Sequence, residues 1–335
     1  MLADRYGRVA TDLRVSLTDR CSLRCAYCMP PEGLPWLPRA ELLTDDEIVR
    51  LVGIAVSLGV REVRLTGGEP LLRPGVPGLV ARLAALEPRP ELSLTTNGIL
   101  LVRDAAALAA AGLDRVNVSL DTLDPDRFKA ITFRDRHAGV LGGLAAARAA
   151  GLEPVKVNAV LLRGRNDDEA PALLAWALAE GYELRFIEQM PLDAQHAWDR
   201  AAMVTADEVL ASLRESYVLV GEDGRGSAPA ETWIVVDGPA RDSWATDRPR
   251  VGIVGSVTRP FCGACDRVRL TADGQLRNCL FATEESDLRT ALRAGADDAE
   301  LARRFVASIA AKRAGHGIDD PGFLQPARPM SAIGG

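Results

Sequence analysis

The sequence lacks any uninterrupted apolar stretch approaching the roughly 20 residues that span a bilayer, because charges or glycines break every run. It also lacks an apolar region behind its first residues. Asp4, Arg5, Arg8 and Asp12 occupy the segment where a secretory signal would need one, so the cytoplasm is the expected compartment. Positive charge is not in excess: 40 Lys and Arg stand against 46 Asp and Glu, a net −6 with pI near 5.3. That balance argues against a surface built to bind nucleic acid or anionic lipid, so neither a nucleic acid nor a membrane is an expected partner. Histidine is scarce, with only His137, His196 and His316, and none lies near a cysteine in sequence. Cysteine is absent between positions 28 and 262, which leaves six thiols in two sets of three: Cys21, Cys25 and Cys28, then Cys262, Cys265 and Cys279. In a reducing compartment such sets are read as metal ligands or catalytic groups rather than disulfides. What is present is a chain of 335 residues, 47% hydrophobic and 26% charged, enough to bury a core as one large domain or two unequal ones.

The first two thirds alternate short β-branched runs with helical patterns, the signature of βα units and a parallel sheet. Six strands are expected, at Leu13–Leu17, Glu62–Leu65, Leu92–Thr95, Arg115–Leu120, Pro154–Leu161 and Leu184–Glu188. Thr44 with Glu47, and Asn166 with Glu169, carry capping-box spacing, while Gly59, Gly112, Gly151 and Gly181 are placed to end helices. These signals predict a (β/α)6 array over residues 1–220. After Gly221 the pattern changes to strand-like pieces at Thr232–Val236 and Val251–Val254, then a helical stretch from Asp298 to Ala314, so residues 221–325 are expected to form a smaller domain. Residues 326–335, ending in Gly334 and Gly335, read by composition as a mobile tail.

Cys21, Cys25 and Cys28 place three thiolates within eight residues directly after the first strand. Three soft ligands can cap one face of an iron–sulfur cluster or bind zinc, and they leave one metal position without a protein ligand, the mark of a catalytic centre. A structural zinc would need a fourth ligand that is not nearby. Strand two runs into Thr66, Gly67, Gly68, Glu69 and Pro70, where the glycines admit a ligand close to the backbone and Glu69 offers an acceptor for an ammonium group. Thr95–Gly98, Ser119–Asp121, Asn158 and Glu188–Met190 stand at later strand ends, the face on which (β/α) barrels build their sites. Arg14, Arg64 and Lys156 lie within strands, where a cation is costly unless it meets an anion. Three such cations imply a polyanionic substrate such as a nucleoside triphosphate. The second set has CxxC spacing with its third cysteine farther on, which alone suits half a zinc ribbon. Arg267 and Arg269 follow at alternate positions, on one face of a strand, and favour a phosphate clasp beside an open metal site.

The Cys21–Cys28 motif resembles the [4Fe-4S] motif of radical S-adenosylmethionine enzymes, and Thr66–Pro70 is similar to that superfamily's GGEP segment. With Thr95–Gly98, Asn117–Asp121, Arg185–Glu188, Phe261–Leu280 and the final double glycine, nearly the whole chain resembles the MoaA family, the GTP 3′,8-cyclases of molybdenum cofactor biosynthesis. The resemblance implies a partial (β/α)6 TIM-type barrel with a smaller C-terminal α+β domain carrying a second cluster. It implies Cys21, Cys25 and Cys28 on the first cluster, Cys262, Cys265 and Cys279 on the second, and Tyr27, Gly68, Ser119 and Met190 on S-adenosylmethionine. It implies Arg14, Arg64, Thr95, Lys156, Arg267, Val268 and Arg269 on GTP. The implied reaction generates a 5′-deoxyadenosyl radical, removes hydrogen from C3′ of GTP and joins C3′ to C8. The implied partners are a reductant protein such as flavodoxin or ferredoxin and a downstream cyclic pyranopterin monophosphate synthase, with a homodimer left open. Asp266, Gln189 and the Pro191–Leu192 region depart from the family's commonest pattern. A radical peptide maturase with an auxiliary cluster and a structural zinc protein are the competing expectations.

Overall fold

A computed structural model describes residues 1–334; Gly335, half of the expected double glycine, lies outside the described residues. The strands are β1 (Asp12–Ser16), β2 (Glu62–Thr66), β3 (Glu91–Thr96), β4 (Arg115–Ser119), β5 (Lys156–Val160), β6 (Glu183–Ile187), β7 (Val218–Gly221), β8 (Glu231–Asp237), β9 (Arg250–Val254), β10 (Arg267–Leu270), β11 (Gln275–Arg277) and β12 (Ser286–Asp287). They join one sheet in the order β12-β11-β10-β1-β2-β3-β4-β5-β6-β9-β8-β7. The run from β10 to β9 is parallel, and the outer pairs are antiparallel. The fold is therefore α/β around a central parallel sheet. Its barrel is not closed, since β9 and β10 end the parallel run at opposite sides.

All six expected strands are present to within two residues at either end. The helices between them are α1 (Asp45–Ser57), α2 (Val76–Ala84), α3 (Leu101–Ala110), α4 (Pro125–Thr132), α5 (His137–Ala149) and α6 (Ala170–Glu180), followed by α7 (Ala206–Arg214), α8 (Arg289–Arg293), α9 (Asp298–Ala310) and α10 (Met330–Ile333). The Thr44–Glu47 capping box forms at the start of α1, because each partner satisfies a backbone N–H that the first helical turn leaves open. Gly181 closes α6 at φ +75°, a left-handed conformation that glycine enters without a Cβ clash.

Four expectations are corrected. Asn166 and Glu169 make no capping box: the Asn166 side chain bonds Leu162 N and the carbonyls of Asp121 and Val160, and Glu169 accepts from Thr122. Side-chain bonds to the preceding loop won over the helix start. The late helix ends at Ala310, four residues short of Ala314. Residues after 221 do not build a sheet of their own: β9 docks on β6 and β10 on β1, extending the first sheet on both sides. The segment expected to be a mobile tail is packed, with Ser331 and Ile333 buried. Among the described residues no helix is long and apolar enough to cross a membrane.

Candidate functional site

In a parallel strand, alternate residues share a face. The inner face of β1 carries Asp12, Arg14 and Ser16; β2 adds Glu62, Arg64 and Thr66, and β10 adds Arg267 and Arg269. Register aligns Arg269 with Arg14, and Arg14 with Arg64. Strands lie roughly 4.8 Å apart, so three guanidinium stems rise side by side from neighbouring strands. Arg14 and Arg269 are 9% and 4% exposed, and Arg267 is 3% exposed. Burial, and then repulsion from Arg64, pushes Arg14 down to about 9; burial and Arg14 push Arg269 down to about 9; burial pushes Arg64 down to about 10. Asp12 answers this charge only in part, at 3.8 Å from Arg14 and 3.6 Å from Arg267. The Nε atoms of Arg14, Arg267 and Arg269 have no hydrogen-bond partner. Buried, mutually repelling and under-satisfied cations make a seat for a polyanion.

The same cavity is lined by Cys21, Cys25, Cys28, Tyr27, Gly68, Thr95, Ser119 and Met190, so most residues expected on cofactor and substrate meet in one space. Burial pushes the Cys21 thiol up to about 11 and Cys28 up to about 12. Cys25 is raised well above its ordinary value, by burial and then by Asp121, Cys28 and Cys21. Cys21 raises both Cys25 and Cys28, and all three thiols line the one cavity. Tyr27 donates to Asp121 at 2.8 Å, which fixes the ring in the cavity wall. Gly67 and Gly68 lie against the chain ahead of Cys21. A Cβ on Gly68 would stand 2.4 Å from the Arg20 carbonyl oxygen and 2.5 Å from that of Asp19. Neither backbone atom can yield, so Gly68→Ala is expected to displace the loop ahead of Cys21 and lower the melting midpoint by several degrees; an unchanged midpoint would show that this contact can open without cost.

The second cysteine set sits beside this cavity, which Phe261, Arg267, Arg269 and Leu280 connect to it. Burial, and then Cys279 and Cys265, raise the Cys262 thiol, so these three share one neighbourhood. Cys265 is held below its ordinary value: burial opposes ionisation, but Lys312 and Arg267 outweigh it. Lys312 is buried, with Nζ 3.3 Å from Cys265 Sγ and 2.9 Å from the Arg267 carbonyl. Sequence reading missed Lys312 because nothing in the residues beside it points 47 residues back to a cysteine. Arg185 was also given no role, although alternation along β6 puts it on the inner face, where it lines the cavity. Among the described residues no three His, Cys, Asp or Glu side chains converge closely enough to hold a single metal ion. A cluster distributes its thiolates over separate irons, so soft thiols spread around one space fit that group.

Several expected residues point elsewhere. Glu69 is fully buried and accepts from Leu71 N, Thr96 Oγ1 and Asn97 N at 3.0, 2.8 and 2.7 Å, so it pins the glycine loop to the end of β3 instead of presenting a free acceptor. Glu188 accepts from the backbone N–H groups of Ala206, Val257 and Thr258. Val268 turns into the apolar core, as its position between two inward arginines requires. Asp266 takes a hydrogen bond from Thr11 at 3.0 Å and stands 3.7 Å from Arg267. Lys156 faces a second, polar cavity with Glu183, Glu222, Arg250 and Arg185, and pairs with Glu183 at 3.2 Å. Arg185 borders both cavities.

Comparison with known proteins places the chain in a family. Residues 15–177 match the Radical SAM superfamily, and residues 182–318 match the family described as Molybdenum Cofactor Synthesis C. The chain is 68% identical over 338 residues to a GTP 3′,8-cyclase of Streptomyces coelicolor, covering all of this chain and 96% of that protein. It is 59% identical over 336 residues to GTP 3′,8-cyclase 2 of Mycobacterium bovis, covering 100% and 92%. Among solved structures it resembles Streptococcus suis SuiB bound to S-adenosylmethionine, with TM-score 0.59 and 13% identity over 92% of this chain and 67% of that one. At that identity the likeness extends to the fold alone.

Proposed function

The chain belongs to the GTP 3′,8-cyclase family within the radical S-adenosylmethionine superfamily, and on that premise we propose how its residues divide the work. It is an enzyme that converts GTP to 3′,8-cyclo-7,8-dihydro-GTP, the first step of molybdenum cofactor biosynthesis, using two [4Fe-4S] clusters and S-adenosylmethionine. In our reading Cys21, Cys25 and Cys28 hold the first cluster, and Cys262, Cys265 and Cys279 the second. The first cluster with S-adenosylmethionine supplies the organic radical that begins the reaction.

The chain's own contribution is placement. Tyr27, Gly68, Ser119 and Met190 seat S-adenosylmethionine at the Cys28 end of the cavity. Arg14, Arg64, Thr95, Arg267 and Arg269 draw in GTP, with the Val268 backbone passing between the two arginines and Lys156 approached from the polar cavity beyond Arg185. The single observation that carries this reading is the in-register Arg269–Arg14–Arg64 row in the cavity that also holds three thiols. The finer architecture belongs to the same proposal: residues 1–220 as a partial (β/α)6 barrel, 221–325 as an α+β unit bearing the second cluster, and 326–335 as a tail ending in the double glycine. So do a cytoplasmic location, a flavodoxin or ferredoxin as reductant, delivery of product to a cyclic pyranopterin monophosphate synthase, and a homodimer.

The test is an anaerobic incubation of the iron-loaded protein with reductant, S-adenosylmethionine and GTP. We expect 5′-deoxyadenosine and cyclised GTP in step. Turnover with ATP or a peptide but not GTP, or stoichiometric zinc with little iron, would sink the reading. Lys156 gives a second check. Burial, and then Arg185, hold its ammonium down to about 8, so above that pH the free protein carries a neutral amine that a phosphate would recharge. GTP binding at pH 8.5 is therefore expected to take up a proton, read as a buffer-dependent heat in calorimetry. Lys156→Met should abolish that dependence.

A further inference from the structure

The strap of residues 325–333 is tied down at five points. Gln325 donates to the Asp193 carbonyl at 2.6 Å. The Arg328 guanidinium donates to both oxygens of Asp273, at 3.1 and 2.8 Å, and pairs with Glu285 at 2.8 Å. Those acceptors are themselves fixed: Thr271 donates to Asp273 at 2.6 Å, and the buried Arg277 holds Glu285. Met330 N donates to the Leu192 carbonyl at 2.9 Å, and Ser16 Oγ donates to the Ile333 carbonyl at 3.0 Å. The Ile333 side chain is fully buried against Leu192 and Phe281. A fork-to-carboxylate pair of this kind fixes orientation as well as position.

What the strap presents is Ser331. It is 3% exposed, lines the main cavity, directs its backbone N–H toward Cys28, and leaves its Oγ without a hydrogen-bond partner. A buried hydroxyl without a partner is rare and implies one that is supplied from outside. Its neighbour Met330 packs against the same apolar cluster as Met190. We propose that Ser331 is a binding residue for S-adenosylmethionine, presented to the cavity by a strap that Arg328 latches to Asp273 and Glu285. The inference rests on the reading that the Cys28 end of the cavity takes that ligand. A hydroxyl there can accept from the ammonium or donate to the carboxylate of the methionyl group, whereas the arginine row that would receive GTP lies on β10, β1 and β2.

The test uses the cluster-loaded protein under anaerobic conditions and reads binding apart from turnover. Ser331→Ala is expected to weaken S-adenosylmethionine by about tenfold in equilibrium dialysis, with the GTP dissociation constant unchanged. In turnover its KM for S-adenosylmethionine rises while kcat holds, and Ser331→Thr restores both constants. Arg328→Ala should weaken S-adenosylmethionine to a similar degree and, unlike Ser331→Ala, speed hydrogen exchange across residues 325–334. An unchanged S-adenosylmethionine affinity in Ser331→Ala, or a loss confined to GTP, overturns the binding role. Faster exchange in Arg328→Ala without loss of affinity overturns the latch. A wild-type protein that binds no S-adenosylmethionine overturns the functional reading along with it.

Discussion

Arg269→Gln is expected to weaken GTP binding by roughly a hundredfold while leaving the free protein as stable as the wild type or more so. Both effects have one cause. Arg269, Arg14 and Arg64 stand in register on adjacent strands, and burial together with their neighbours drives Arg269 and Arg14 down to about 9 and Arg64 to about 10, well below the ordinary guanidinium value. A cation depressed in the folded state lowers stability at every pH below its folded value, and that penalty is relieved only as pH climbs from there toward the ordinary guanidinium value. Guanidinium groups stay charged in practice, so the penalty is present in full near neutrality. Removing one cation relieves repulsion on the other two and leaves Asp12 to serve fewer partners. A triphosphate reverses the sign, because it meets three or more cations already stripped of water, and the loss of one then costs a charge-assisted contact in a low-dielectric space. The check is a pair of melting curves, with and without saturating GTP, beside a calorimetric titration. GTP should raise the wild-type midpoint strongly and the variant's little, since stabilisation by a ligand follows its affinity. A GTP affinity within threefold of wild type would show that the arginine row is structural.

Much of this site was legible because strand alternation is local. Arg267 and Arg269 point the same way wherever their strand lies, as do Arg14 and Asp12, so the sequence alone supports a basic inner face. The glycines at 59, 112, 151 and 181 adopt positive φ and mark helix-to-strand returns for the same local reason. What sequence could not supply is which strands become neighbours. β10 pairs with β1 across more than two hundred residues of chain, and that pairing turns two separate basic motifs into one row. The carboxylates at strand ends failed for a related reason. Glu69 and Glu188 look like site residues in sequence, but each is claimed by backbone N–H groups, some from elements far along the chain, and those donors become visible only after folding. The strap misled through composition: proline and glycine suggested mobility, while Arg328 and Ile333 hold the segment in place.

Cysteine substitutions should separate the two halves of the reaction. Cys25→Ala is expected to abolish 5′-deoxyadenosine formation, and Cys279→Ala to retain some of it while reducing cyclised GTP by at least about a hundredfold. The separation follows from how the sets are held. Cys21, Cys25 and Cys28 lie on the loop after β1, where Leu23 N donates to Cys21 Sγ at 3.4 Å and Arg24 bonds the Cys21 carbonyl at 2.6 Å. Cys262 and Cys265 precede β10 and Cys279 follows β11, with Lys312 on Cys265 and Arg8 on the Cys262 carbonyl at 2.6 Å. Among the described residues these named anchors are not shared, so loss of one set leaves the other's ligands in place, and iron content should fall by about half in either variant. The consequences differ because the sets serve different ends of one cavity. The first lies with Tyr27 and Gly68, proposed to seat S-adenosylmethionine; the second lies behind Arg267 and Arg269, proposed to draw in GTP. A radical formed without a correctly held acceptor is quenched, so Cys279→Ala should consume S-adenosylmethionine uncoupled from product, and the ratio of 5′-deoxyadenosine to cyclised GTP is the quantity to measure. A wild-type ratio in Cys279→Ala would mean that the second set has no part in holding the nucleotide. Loss of 5′-deoxyadenosine in both variants would mean that the two sets depend on each other.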